Sequence, residues 1–388
     1  MVLVLAFAAT LLLAVLVSAR AERTILSTSV LFLVAGFLLG QSRLGGQVAD
    51  SPGRSLVERT AELALFTILF TDGMRCGIRD LSSAWRLPGR ALLLGLPLTL
   101  AGTAVLAHLL VGAPWMGAFL LGAALSPTDP VFAAAIVGRE EVPARLRHLL
   151  NVESGLNDGL ALPIVMMLLA LLRSHDVAVP VLLAEVGAGV ALGVAVPWIA
   201  VALEKSRLFG AAPLYKPLGV VAIAMLLLSI SSLTHANEFL AAFAGGVTLV
   251  SVAPRAREVF QEVGEAAGEI FKLAALFLFG ALVSHDLLAG VGARGLAFAA
   301  LALVAVRPAA LAIALIGGGL DRREWVAAAW FGPKGFASVV YGLLILRSGA
   351  PRADEMFHLI ALVVAGSIVA HSSTDVLVAR WFRREEPE

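Results

Sequence analysis

Apolar residues run in long, nearly unbroken stretches along the whole chain, divided by short polar segments, and the stretches have the length of helical spans rather than of strands. A helix needs about 17–25 apolar residues to cross the hydrocarbon core of a bilayer. Thirteen stretches of that kind occur, near 1–18, 24–40, 57–74, 89–111, 114–137, 148–172, 177–203, 216–232, 235–252, 267–285, 293–317, 325–346 and 357–379. The pattern predicts an all-α integral membrane protein of about 13 transmembrane helices. The loops between them are short, so 1–388 reads as a single membrane domain with no soluble regulatory domain. The first stretch lacks a basic leading region and is counted as a span rather than a signal peptide.

Composition narrows the classes. Hydrophobic residues make up 59% of the 388 and charged residues only 15%, against about 25% charged in soluble domains. With a mean hydropathy of +0.92, there are too few polar side chains to coat a soluble core, and a soluble enzyme is excluded. The net charge of +1 leaves no basic field for nucleic acid, and the single Cys76 excludes a disulfide framework or a thiolate metal cluster. Placement of the 29 basic residues sets the orientation: 19 fall on one set of loops and 7 on the other. By the positive-inside rule this predicts a multi-pass cell-membrane protein with the N-terminus outside and the C-terminus cytoplasmic.

Helix breakers recur at matching places. Ser126-Pro127-Thr128-Asp129-Pro130 interrupts the fifth span and Gly332-Pro333-Lys334-Gly335 the twelfth. If 1–173 and 205–388 are two six-helix repeats of inverted topology joined by a linker helix at 174–204, the interrupted helices are the fifth of each half. Such folds bring discontinuous helices together at the bilayer midplane, so helices 5 and 12 are expected to cross there, with Pro127, Pro130 and Pro333 as the breakers.

Charge in hydrocarbon costs several kcal/mol, so ionisable residues inside spans are functional candidates. Glu185, Glu238 and Asp375 lie in the linker or near span ends and are read as interfacial, and Lys272 as snorkelling from the start of span 10. The dense group is at the start of span 6, where Glu153, Ser154, Asn157 and Asp158 follow one another closely. Ser154 and Asp158 are four apart and share a helix face. A carboxylate, a hydroxyl and an amide oxygen, joined by Thr128 and freed carbonyls at the break, are hard ligands for a small cation such as Na+, Li+ or K+, held by Asp158, Ser154 and Thr128. The competing structural reading is that these side chains only hydrogen-bond neighbouring helices. Glu153 is expected to pair with Lys334 across the two halves. Arg307 is open to any buried carboxylate. Asp129 and Lys334 are also suited to offset half-helix dipoles.

If Asp158 is reached from each side in turn, proton and cation compete for the same oxygens. A bare carboxylate crosses an apolar gate only at high cost, so one or the other must be bound for the site to reset. Because Asn157 rather than a second acid precedes Asp158, the exchange is expected to be electroneutral, one charge for one. A sodium-coupled organic-anion symporter and a transport-dead sensor or channel are the competing classes.

The pair Ser126–Pro130 and Glu153–Gly159 resembles the signature of monovalent cation:proton antiporters, in the electroneutral branch of NhaP-type and animal sodium/proton exchangers. The likeness extends to Leu69–Gly73, Phe239–Gly245, Arg307-Pro308 and Gly332–Gly335. It implies a homodimer with a moving core domain, Asp158 as carrier of proton and cation, and help from Thr128, Ser154 and Asp72, supported by Asn157 and Asp129. The partners are then a monovalent cation, H+ and the lipid bilayer, without a cofactor. Lys334 departs from the family's arginine, Glu238 stands where relatives have a small residue, and no long regulatory tail is expected.

Overall fold

The computed structural model describes residues 2–21, 28–42, 51–75, 87–129, 141–173, 179–206, 208–212, 215–283 and 291–382. Their regular structure is helical throughout: α1 Val2–Ala21, α2 Thr28–Gln41, α3 Ser51–Arg75, α4 Leu87–Val111, α5 Trp115–Leu125, α6 Ala144–Arg173 and α7 Val179–Glu204. There follow α8 Lys216–Thr234, α9 Glu238–Val252, α10 Arg255–Leu282, α11 Gly292–Ala314, α12 Arg322–Trp330, α13 Phe336–Arg347 and α14 Ala353–Trp381. Six of them (α4, α6, α7, α8, α11 and most of α14) are long and apolar enough to cross a membrane unaided. The rest are shorter, interrupted, or carry polar extensions. α10 begins at Arg255, twelve residues before the apolar stretch near 267, because polar residues continue the helix beyond the segment that hydropathy detects.

Helical geometry is lost at both expected proline-bearing places in the apolar stretches. α5 stops at Leu125 and the chain leaves helical geometry through Ser126–Asp129. α12 stops at Trp330 and α13 starts at Phe336, with Phe331–Gly335 between them. Proline removes a backbone donor and clashes with the preceding turn, which accounts for breaks at Pro127 and Pro333. Pro130 and the remainder of the fifth apolar stretch lie outside the described residues. α4 and α11 each contain a π-helical turn, Ala91–Gly95 and Ala302–Val306, and these helices pack on one another, Gly95 against Leu311 and Gly102 against Val306.

Between helices in lipid the hydrophobic effect supplies little drive, and close packing of small residues takes its place. α3 and α9 meet backbone to backbone at Gly73 and Gly246. A Cβ at Gly73 would overlap the Phe243 carbonyl oxygen, and one at Gly246 the Phe70 carbonyl oxygen. That approach fixes the turn of α3 that carries Asp72, a carboxylate only 3% exposed.

Candidate functional site

The two breaks bond directly to each other. The Asp129 amide donates to the Pro333 carbonyl oxygen at 2.9 Å, and the Asp129 carboxylate accepts from the Phe336 amide at 2.9 Å. Phe336 is the first residue of α13, so Asp129 places negative charge at a helix N-terminus with otherwise unsatisfied donors. A Cβ at Gly335 would overlap the Asp129 side chain; only glycine lets the carboxylate approach this closely. Lys334 does the reverse. Its Nζ donates to Ser126 O at 3.2 Å and Pro127 O at 3.4 Å, putting a cation at the C-terminal end of α5.

The expected Glu153–Lys334 pair is not what the structure contains. Glu153, on α6, pairs with Arg307 of α11, whose Nη1 and Nη2 donate at 2.6 Å and 3.0 Å to the two carboxylate oxygens. The planar guanidinium fork matches a carboxylate in a way that an ammonium does not, and Arg307 Nη2 lies a further 3.3 Å from Phe331 O at the second break. Lys334 is occupied by the carbonyls of the first.

Thr128, Ser154 and Asn157 converge on one point. The Thr128 and Ser154 hydroxyls lie 2.9 Å apart, and Asn157 Nδ2 donates to Thr128 Oγ1 at 2.6 Å. Next along α6, the Asp158 carbonyl accepts from Tyr341 OH of α13 at 2.7 Å. Two oxygens of this group are left over: Asn157 Oδ1 and Asp158 Oδ1 are buried and accept no hydrogen bond. Buried acceptors without a donor cost free energy unless something meets them.

Asp158 faces a cavity of about 60 Å³ that it shares with Asp72, Asp129, Glu269 and Lys272. Asp72 is held by Arg75 at 3.2 Å. The carboxylates ring the cavity without meeting at one atom: no three His, Cys, Asp or Glu side chains among the described residues are close enough to hold a metal ion. Lys272 does not snorkel. Its side chain is 3% exposed, and it bonds Glu269 at 2.5 Å.

Four further residues brace this region and were not singled out from the sequence. The Lys334 amide donates to Ser367 Oγ at 2.6 Å; His371 Nδ1 lies 3.1 Å from that hydroxyl and 2.8 Å from Ser367 O, and His371 Nε2 lies 2.9 Å from Trp330 O. Ser367 and His371, four apart on α14, thus meet backbone groups on both sides of the second break. Their i, i+4 spacing in an apolar span was the available signal. At the end of α6 nearer its start, Arg145 donates to Glu324 Oε1 at 2.5 Å, linking α6 to α12.

Two helix breaks that bond to each other, set among buried charges and a polar cavity, are the marks of a secondary transporter. The particular family follows from comparison. The model of the family "Sodium/hydrogen exchanger, transmembrane" matches residues 8–380, and the chain belongs to that family, whose members are secondary transporters rather than enzymes. The K(+)/H(+) antiporter NhaP of Alkalimonas amylolytica is 25% identical over 381 residues, 97% of this chain and 65% of that protein. The K(+)/H(+) antiporter NhaP2 of Shewanella sp. (strain ANA-3) is 25% identical over 384 residues, 96% of this chain and 66% of its own length. The chain therefore spans just under two thirds of these curated relatives. The fold is that of the sodium proton antiporter MjNhaP1 from Methanocaldococcus jannaschii, with a TM-score of 0.82 and 19% identity over 98% of each chain.

Proposed function

We propose that this chain is an antiporter that exchanges a monovalent cation for a proton across the cell membrane, one for one, with Asp158 carrying either. The observation that carries the reading is the buried, donor-free Oδ1 of Asp158, a residue that lines the cavity, together with the orphaned Oδ1 of its neighbour in sequence, Asn157. A proton satisfies that carboxylate, and so does a cation whose other ligands are the hydroxyls of Thr128 and Ser154. With neither bound, the cost of a bare buried charge opposes the transition between the two sides. Asn157 offers an uncharged oxygen, so a single charge leaves for each that enters.

Sodium is the first candidate, and lithium is close to it in chemistry. Potassium is the second reading, supported by the names of the NhaP and NhaP2 relatives. The same proposal takes 1–173 and 205–388 as inverted repeats about a linker helix at 174–204, with the N-terminus outside and two copies forming a dimer. In that orientation the Arg75 and Glu269 side of the cavity faces the cytoplasm, and the described conformation is inward-facing.

Proteoliposomes loaded with a pH-sensitive dye test this under voltage clamp. Pulses of sodium, potassium or lithium should drive proton movement in the wild type and none in Asp158→Ala, without net current. Absence of flux with every cation, in protein that remains folded, would overturn the reading.

A further inference from the structure

We propose that Lys272 sets the affinity of the cavity for its cation by acting as a tethered positive charge, which Glu269 holds in check. The inference rests on the antiport reading and adds a residue that determines how tightly the transported ion is held. α3 and α10 each present an i, i+3 ion pair to the cavity, and the two are arranged in opposite senses. On α3 the acid is inside, with Asp72 and Arg75 side chains 4% and 40% exposed. On α10 the base is inside, with Lys272 at 3% and Glu269 at 45%. All four line the cavity that Asp129 and Asp158 also face.

An ammonium only 3% exposed inside a cavity of about 60 Å³ has little contact with bulk solvent for its charge. One of its three N–H donors goes to Glu269 Oε2 at 2.5 Å, which leaves two for water or for the carboxylates that the incoming cation also seeks. An entering cation therefore meets a like charge at short range, where screening by water is reduced. That repulsion weakens binding and speeds release of the cation once carried. Glu269 opposes it by neutralising part of the lysine's charge.

The two residues must act with opposite sign, which a merely structural role would not produce. Initial rates of exchange against sodium concentration at fixed pH, in proteoliposomes of the wild type, Lys272→Gln, Lys272→Arg and Glu269→Gln, read this directly. KM for sodium should fall roughly tenfold in Lys272→Gln, stay near wild type in Lys272→Arg, and rise about threefold in Glu269→Gln. Unchanged KM values, or shifts of both neutralising variants in the same direction, overturn the role of Lys272 while leaving antiport standing. A wild type that exchanges no cation overturns the antiport reading and this one with it. Where Lys272→Gln does not purify as a single species, the sodium-dependent thermal shift of Glu269→Gln carries the same test. A higher half-maximal sodium concentration than wild type supports the proposal, and an equal or lower one overturns it.

Discussion

Asp129 and Lys334 hold reciprocal ends of the helix crossing: the carboxylate from the first break accepts from the Phe336 amide at the start of α13, and the ammonium from the second break donates to the Ser126 and Pro127 carbonyls at the end of α5. Each charge thus meets the half-dipole of opposite sign on the partner helix. The Asp129 amide on Pro333 O closes the joint. Helix ends inside a bilayer lack water to satisfy their backbone groups, and this exchange supplies the missing partners.

Removing Lys334 exposes that dependence. Lys334→Met keeps an apolar stem of similar length but leaves two buried carbonyls without a donor, at a cost of about 1–3 kcal/mol. Thermal unfolding in detergent should show a lowered midpoint, and Asp129→Ala should lower it more than Asp129→Asn, which retains an acceptor for the Phe336 amide. Equal midpoints for the two Asp129 variants would contradict the assignment.

The Glu153–Arg307 pair makes a different prediction because both partners are buried. Removing one partner alone leaves an uncompensated charge, which costs about 3–5 kcal/mol, whereas removing both is far milder. Glu153→Gln and Arg307→Met should each destabilise strongly, and the double variant should recover most of the loss. Additive losses in the double variant would show that the two side chains do not act as a pair.

Ser367 and His371 hold the second break from α14. Ser367→Ala takes the acceptor from the Lys334 amide, and a cost of about 1–3 kcal/mol follows. His371→Ala should cost less, because the Trp330 carbonyl keeps the Gly332 amide at 2.8 Å. Hydrogen exchange should quicken at Lys334 in the Ser367 variant, and exchange there at the wild-type rate would contradict the bond.

Cation binding stabilises the folded state by mass action, by about 2.7 kcal/mol when the free ion is a hundredfold above its dissociation constant. Sodium should therefore raise the melting temperature of the wild type and leave Asp158→Asn unmoved. Because a proton occupies the same carboxylate, the sodium concentration needed for half of that rise should increase as pH falls. A shift independent of pH would mean that the two ions do not share a site.

Much of the site was legible in the sequence, and the failures have a common cause. The breaks at Pro127 and Pro333 stood out because proline and glycine interrupt apolar runs, and Thr128, Ser154 and Asn157 because polar oxygens are rare there; the structure brings these three into one bonded group. The partner of Glu153 was misread because the choice between Lys334 and Arg307 depends on how α6, α11 and the break between α12 and α13 are oriented, which hydropathy does not encode. Lys272 was misread for a related reason: a lysine near the end of an apolar run looks like a snorkelling residue, and only the packing of α10 against the cavity shows its ammonium held inside. Spacing did hold a clue in two of the missed cases, since Glu269 stands three residues from Lys272 and Ser367 four from His371.

The central claim is that Asp158 exchanges a proton for a cation at one site, and counting protons tests it without any transport step. Sodium added to weakly buffered purified protein should release close to one proton per chain from the wild type and none from Asp158→Asn. Sodium binding without proton release, or the same release from the Asp158 variant, would contradict the account.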